Sequence, residues 1–176
     1  MQYIAGGVCA PKGFKAAGVH CGIRRNRSKY DLALIVSDEM ASAAAVYTQN
    51  LVKGAPILVT QKHLENGYAR AVIVNSGNAN TCNANGIEIA EGMCALVREY
   101  TGIREEDVAV ASTGVIGQPL SLQPISDGMQ SLVDALSPDG SVDAANAIMT
   151  TDTLLKQFAV EFEVDGGLCS IGRIAK

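Results

Sequence analysis

The feature that most constrains the fold is an alternation of short apolar runs with longer helical patterns through the middle of the chain. The short runs are rich in β-branched residues and are closed by polar or glycine residues, as buried strands are. The runs cover residues 31–37, 55–60, 70–77 and 107–113. A further run, "KQFAVEFEV" (156–164), alternates and places Phe158 and Val160 on one face, and "DGG" turns it into a last strand, 168–175.

Between the strands, apolar residues recur at spacings of three or four, which is typical of amphipathic helices. The pattern predicts helices over residues 85–102, 121–140 and 141–150. Gly102 is expected to cap the first helix and Ser141 to open the third, which would pack through Val142 and Met149 among others. Alternation in the middle and a hairpin at the end predict an α/β fold with a mixed sheet or two stacked sheets.

Composition narrows the function classes. The chain has 176 residues, 48% of them hydrophobic, which suits one domain. Its net charge of −4 gives no signal for nucleic acid, and the basic stretch "GIRRNRSK" (22–29) is typical of a solvated loop. No apolar stretch approaches the ~20 residues that span a membrane, and the start does not resemble a secretory signal.

The cysteines and histidines argue against a metal or thiol site. Five cysteines are scattered without a CxxC pair, which suits reduced thiols in a cytoplasmic protein. Only His20 and His63 exist, so a zinc site and a Cys–His or Ser–His couple are disfavoured. The 18 glycines and the absence of Trp favour closely packed layers with backbone near solvent or ligand.

Three polar stretches could carry chemistry. "NSGNANTCNANG" (75–86) follows a strand and could bind an anion through backbone amides, although a tight connection built from Asn and Gly is favoured. "MTTDTLLK" (149–156) could hold a polar ligand or satisfy a helix end, and spacing does not separate the two. "ASTGVIG" (111–117) could aim donors at an oxyanion, but the chain offers no nucleophile–base couple beside it.

Five stretches in order resemble one known family. They are "GGVCAPKGFKAAGVHCGIR", "AAAVYTQNLVKGAP", "AVIVNSGNANTCNANG", "VAVASTGVIGQPL" and "AIMTTDTLLK". Together they are similar to the N-terminal half of ornithine acetyltransferase, also called glutamate N-acetyltransferase, of the cyclic arginine pathway. The resemblance implies a layered αββα sandwich, of the type shared with self-processing aminopeptidases and completed by a second chain.

The resemblance also implies a mechanism. Family members are made as one precursor that cuts itself before a threonine, which then leads the second chain as nucleophile with its own α-amine as base. The acetyl group moves from N-acetylornithine to this threonine and then to glutamate. Thr113 and Gly114 match the family's oxyanion hole, and Thr150 and Lys176 match residues that contact substrate. No metal is implied, and acetyl-CoA is a further acetyl donor in some members.

The expected partner is therefore a β chain from the same precursor, in an α2β2 assembly, with neither nucleic acid nor membrane involved. The chain ends at Lys176, before the nucleophilic threonine, so we expect residues 1–176 to form one domain that is catalytically incomplete alone. Two alternatives stay open at this stage. One is a self-processed aminopeptidase or amidase of the same fold, and the other is a non-catalytic binding subunit.

Overall fold

The computed structural model describes all residues from Met1 to Lys176. The strands are β1 (Gln2–Tyr3), β2 (Phe14–Val19), β3 (Leu32–Ser42), β4 (Tyr68–Asn78), β5 (Val108–Val115), β6 (Lys156–Val164) and β7 (Gly167–Ala175). The α-helices are α1 (Ala55–His63), α2 (Gly86–Thr101), α3 (Gln123–Asp134) and α4 (Ser141–Ile148). Short 3₁₀ turns lie at Gly7–Cys9, Leu64–Asn66 and Glu105–Asp107. None of the helices is both long enough and apolar enough to cross a membrane.

The strands form two sheets. The larger has the order β2-β3-β4-β5, in which β4 and β5 run parallel and the other neighbours run antiparallel. The smaller has the order β1-β6-β7 and is antiparallel throughout. The parallel pair arises because α2 forms the crossover between β4 and β5, as a parallel connection requires.

The hydrophobic core lies on both faces of the larger sheet. On one face, residues such as Leu34 and Ile73 pack against the buried faces of α2 and α3, for example Met93 and Met129. On the other face, Ala33 packs with α4 residues, and Ile174 of the smaller sheet lies against the same cluster. The predicted α/β sandwich is therefore confirmed, with helices, a sheet, and then α4 beside a second sheet.

Helices α2 and α3 form as the sequence predicts. The predicted stripe of α2, from Ala90 to Val97, is fully buried, and Gly102 ends the helix in the left-handed conformation with a φ of 74°. Ile125 and Met129 of α3 are likewise fully buried. Small residues permit the close layer packing that the composition indicated, since a Cβ on Gly18 would lie 2.1 Å from the Asp143 carbonyl oxygen of α4.

The prediction of a strand over residues 55–60 is wrong, because this run is the first part of helix α1. Gly54 precedes the helix and Pro56 lies in its first turn, where a missing N–H costs nothing. The helix buries the adjacent residues Val59 and Thr60 and exposes Leu58. Burial therefore does not alternate from residue to residue as it would in a half-buried strand. A short apolar run does not distinguish a strand from a half-buried helix by periodicity alone.

The strands β1 and β2 were not predicted, and three details of α4 and β6 differ from prediction. Ser141 begins α4 but does not cap it, because its hydroxyl accepts from the Val8 amide and donates to Gln157. Val142 is 45% exposed rather than packed. In β6, Val160 is buried as expected, whereas Phe158 and Val164 on the same face are exposed.

Helix α1 protects the edge of the larger sheet. Strand β5 is an edge strand, and its outward backbone groups would otherwise lack partners. The buried Thr60 hydroxyl accepts from the Val110 amide at 2.8 Å and donates to the Val110 carbonyl at 2.7 Å. His63 Nδ1 lies 2.8 Å from the Val108 carbonyl oxygen. Two side chains one helical turn apart thus replace a missing neighbouring strand.

Replacing Thr60 by Val should therefore destabilise the protein. The substitution keeps the shape of the side chain but leaves the Val110 amide and carbonyl buried without partners, at a cost of about 1–3 kcal/mol. Thermal or urea denaturation measures the loss. The control is Thr153→Val, because Thr153 is exposed and makes no hydrogen bond within the chain. Equal stabilities for the two variants would contradict the role given to Thr60.

Candidate functional site

The candidate site begins where β4 and β5 end side by side. Their register pairs Gly77 with Gly114, and Asn78 lies opposite both Thr113 and Val115, so the ladder is locally irregular there. Gly114 has a φ of 137° and Gly77 a φ of 100°, both outside the range that side chains favour. A Cβ on Gly114 would lie 2.3 Å from the carbonyl carbon of Gly77. The two backbones therefore approach more closely than any other residue type would permit.

The asparagine-rich loop supports this corner from behind. The side-chain amide of Asn75 donates to the backbone carbonyl of Asn78 at 2.9 Å, and the side-chain amide of Asn78 donates to the backbone carbonyl of Gln118 at 3.0 Å. Asn80, with a φ of 47°, donates to the Gly86 carbonyl at 2.8 Å. These three side chains are buried and engaged with the protein's own backbone. The loop is a tight connection, as the sequence favoured, and its amides position the neighbouring residues.

An open cleft of about 540 Å³ lies in front of the paired glycines. It brings together residues from five separate stretches of the sequence. They are Arg24, Gly77, Thr113, Gly114, Val115, Thr150, Thr151 and Lys176. All four residues that the sequence assigned to a site, Thr113, Gly114, Thr150 and Lys176, line this one cleft although they span more than sixty positions.

The polar groups around the cleft fall into two sets. The first set is occupied, since Ser112 donates to the side-chain oxygen of Asn75 and Ser76 donates to the carbonyl of Ala147. The second set consists of the hydroxyls of Thr113, Thr150 and Thr151, which make no hydrogen bond to another group of the chain. The two serines thus belong to the framework, whereas the hydroxyls of the threonines that line the cleft are free to bind a ligand.

Lys176 places a positive charge in the lining of the cleft and is paired with Asp152. Lys176 Nζ lies 3.1 Å from one Asp152 oxygen, and Lys156 Nζ lies 2.8 Å from the other. The Thr150 amide also donates to this carboxylate, at 3.2 Å. The Lys156 hydrogen bond, then the Thr150 amide and then Lys176 hold the pKa of Asp152 well below its usual range. Asp152 therefore stays ionised and ties the lysine at the cleft to the "MTTDT" segment.

Arg24 is the cleft residue that the sequence analysis missed. The stretch 22–29 was predicted to be a solvated loop, and Arg25 and Arg27 are exposed as expected. Arg24 instead turns inward and donates from Nη2 to the carbonyl of Met149, next to Thr150. The loop is bent by Asp31, whose fully buried carboxylate accepts from the Cys21 amide at 2.7 Å and the Arg24 amide at 2.8 Å. In the sequence, the available indication of this bend is that Asp31 follows the basic stretch.

The chain supplies no nucleophile–base couple at this cleft. Both histidine rings are engaged with backbone carbonyls, His20 with that of Lys29 and His63 with that of Val108. All five cysteines are free thiols, and burial raises the pKa of Cys21 to about 12. The described residues also contain no cluster of three His, Cys, Asp or Glu side chains that could hold a metal. The cleft therefore offers hydrogen-bond donors and positive charge but no attacking group.

These features define an α/β sandwich protein with a donor-lined cleft at the ends of two parallel strands. The sequence matches the ArgJ family over residues 15–176, and the chain belongs to that family. It is 49% identical over its whole length to an arginine biosynthesis bifunctional protein ArgJ of Symbiobacterium thermophilum, and 42% identical to a glutamate N-acetyltransferase of Methanocaldococcus jannaschii. The chain spans 44% and 43% of the length of these two relatives.

Solved structures show the same fold. The bifunctional protein ArgJ of Bacillus halodurans superposes with a TM-score of 0.92 at 39% identity, and the match covers 99% of this chain and 92% of that one. An ornithine acetyltransferase of Mycobacterium tuberculosis, solved in complex with ornithine, gives a TM-score of 0.85 at 36% identity, covering 99% of this chain and 93% of that one.

The Asp152 cluster makes a prediction about acid stability. Because the folded-state pKa lies below the ordinary value near 3.9, the ionised carboxylate stabilises the fold above about pH 4, and this is lost as the pH falls toward the folded-state pKa. Asp152→Asn should lower the melting temperature near neutral pH, and the gap to the wild type should close under acid. Melting curves across this range test it. The exposed Glu163→Gln is the control, and a gap independent of pH would contradict the assignment.

Proposed function

We propose that this chain is the N-terminal, α part of a glutamate N-acetyltransferase that moves an acetyl group from N-acetylornithine to glutamate. The observation that carries the proposal is the cleft itself, in which the unengaged Thr113 hydroxyl, Gly114, Thr150 and Lys176 converge. The names of the family relatives supply the substrate class. The acceptor and the donor are both small amino acids with a carboxylate, which suits a cleft with two cationic side chains.

The missing attacking group is expected on a second chain. The curated relatives are more than twice as long as this chain, whereas the solved chains that match it are only slightly longer than it is. This difference supports a precursor that is divided near the end of the present sequence. In our proposal residues 1–176 form one domain, the second chain begins with the nucleophilic threonine, and two copies of each chain assemble in the cytoplasm as α2β2.

The reaction then proceeds in two acyl transfers. The threonine hydroxyl attacks the acetyl carbonyl of N-acetylornithine, its proton passes to the threonine's own α-amine, and that proton leaves with the ornithine amine as the C–N bond breaks. The neutral amine of glutamate next attacks the acetyl-threonine ester and regenerates the hydroxyl. In each step the carbonyl oxygen becomes an oxyanion, and we assign its stabilisation to Thr113 and the Gly114 amide.

Lys176 and Thr150 are assigned to substrate binding in this proposal. A lysine ammonium provides a point charge for a carboxylate, and Asp152 fixes its position without shielding it fully, since the Lys176 side chain is 29% exposed. Thr150 lines the same cleft. Acetyl-CoA as a second donor also belongs to the proposal, because several relatives are named as bifunctional.

Thr113→Ala in the complete precursor should lower kcat by ~10²–10³-fold, the usual cost of one oxyanion donor. The measurement is acetyl transfer from N-acetylornithine to glutamate, with hydrolysis followed separately. The matched control is Thr153→Ala, an exposed threonine outside the cleft. A folded, cleaved Thr113 variant with near-normal kcat would sink the oxyanion assignment. Hydrolysis without transfer in the wild type would instead indicate an aminopeptidase or amidase.

Lys176→Met should raise KM for both N-acetylornithine and glutamate, because the two substrates occupy one site in turn. The substitution removes the ammonium but keeps most of the apolar stem, so it tests the charge. Steady-state kinetics with each substrate varied in turn measures the effect. Lys62→Met serves as the control, since it removes an exposed charge from helix α1, away from the cleft. Unchanged KM values for both substrates would show that Lys176 binds neither.

A further inference from the structure

We infer that Arg24 determines specificity for the acceptor by pairing with its second, side-chain carboxylate. The inference rests on the proposed function, because it takes glutamate as the acceptor. It assigns to this arginine a contact separate from the one proposed for Lys176.

The two cations of the cleft differ in what they already contact. Lys176 is paired with Asp152, and Asp152 is shared with Lys156. Arg24 makes no salt bridge, and its one side-chain hydrogen bond goes to a neutral acceptor, the Met149 carbonyl. Its Nε is buried and finds no acceptor within the chain. Of the cations that line the cleft, Arg24 therefore carries the charge that no carboxylate of the chain compensates.

Arg24 is also held in a fixed position. Its backbone amide donates to the buried Asp31, and its guanidinium reaches the carbonyl of Met149. Its Cγ lies 3.0 Å from where a Cβ on Gly77 would be, so a side chain at position 77 would crowd the arginine stem. The side chain thus lines both the main cleft and an adjoining cavity of about 270 Å³ that contains Thr150 and Asp152. A pre-positioned guanidinium fork suits a carboxylate.

The charge of the acceptor matches this arrangement. Glutamate accepts the acetyl group only with its amine neutral, and in that form it carries two carboxylates and no positive charge. Asp152 pairs with Lys156 and Lys176, and Arg24 lines the cleft without a carboxylate partner, so these three cations exceed the one carboxylate by two charges. This excess of positive charge matches the two negative charges of glutamate with a neutral amine. Because Lys176 serves the carboxylate common to both substrates, Arg24 is left for the one that only the acceptor has.

The donor does not need Arg24. N-acetylornithine has one carboxylate, and its side chain ends in an ammonium that a guanidinium repels. Loss of the arginine charge should therefore weaken the acceptor step without weakening the donor step. A merely structural role for Arg24, through Met149 or Gly77, would affect both steps and every acceptor alike.

The test is Arg24→Met in the complete, self-cleaved protein, with glutamate and glutamine compared as acceptors. Glutamine has the same shape but lacks the second charge. We expect kcat/KM for glutamate to fall by about 10–100-fold, as removal of a charged hydrogen bond costs, and the value for glutamine to change by less than about 3-fold. The rate of ornithine release from N-acetylornithine should stay within the same narrow range. The ratio of kcat/KM for glutamate to kcat/KM for glutamine should therefore fall steeply.

Two further variants keep the test decisive. Arg25→Met removes an exposed charge from the same loop and should leave the ratio unchanged. Arg24→Gln keeps an N–H donor toward Met149 and should also lose the preference for glutamate, which provides the measurement if the methionine variant does not fold. Equal losses with glutamate and glutamine, or an unchanged ratio, would overturn the inference. A wild-type protein that transfers no acetyl group to glutamate would overturn the proposed function instead.

Discussion

The contact on which the site depends is the backbone approach of Gly77 to Gly114 at the ends of the parallel strands β4 and β5. A Cβ at position 114 would overlap the Gly77 carbonyl carbon and the Asn78 amide, at 2.3 and 2.6 Å. The strands converge here because neither residue has a side chain. Asn75 and Asn78 then secure the corner by donating to backbone carbonyls, so Thr113 is presented by a rigid strand end rather than by a loose loop.

The residues that follow helix α4 form another part of the cleft lining. Helices leave their last carbonyls without intrahelical partners, and these groups must be satisfied by other donors. Ser76 donates to the Ala147 carbonyl and Arg24 to the Met149 carbonyl. Both donors come from the larger sheet or the loop beside it. Thr150, the next residue, lines the same cleft as Thr113, so the hydrogen bonds that complete the helix end also position a residue of the cleft.

The sequence predicted those parts of the structure whose cause is local. The stripe of α2 and its cap at Gly102 follow from helical periodicity, and both are confirmed. The run 55–60 was wrongly predicted to be a strand. Its contact with β5 is the hydrogen bonding of Thr60, which is long-range and leaves no trace in the periodicity. Ser141 failed as a cap for a related reason, since its hydroxyl is recruited by Val8 from the far end of the chain.

The site divides in the same way. Thr113, Gly114, Thr150 and Lys176 were assigned by resemblance, and the fold places them in one cleft. Arg24 could not be separated from its exposed neighbours Arg25 and Arg27 by composition, because what distinguishes it is the direction in which Asp31 bends the loop. That bend depends on a buried carboxylate accepting two backbone amides. Long-range polar contacts of this kind decide which member of a charged run becomes part of a site.

The proposed function requires that the attacking nucleophile lie on another chain. The most direct measurement is mass spectrometry of the complete, purified protein after brief incubation with N-acetylornithine and no acceptor. We expect two chains, with one added acetyl group on the N-terminal threonine of the second chain and none on the chain described here. A stable acetyl group on a residue of this chain, or an uncleaved single chain that is fully active, would contradict it.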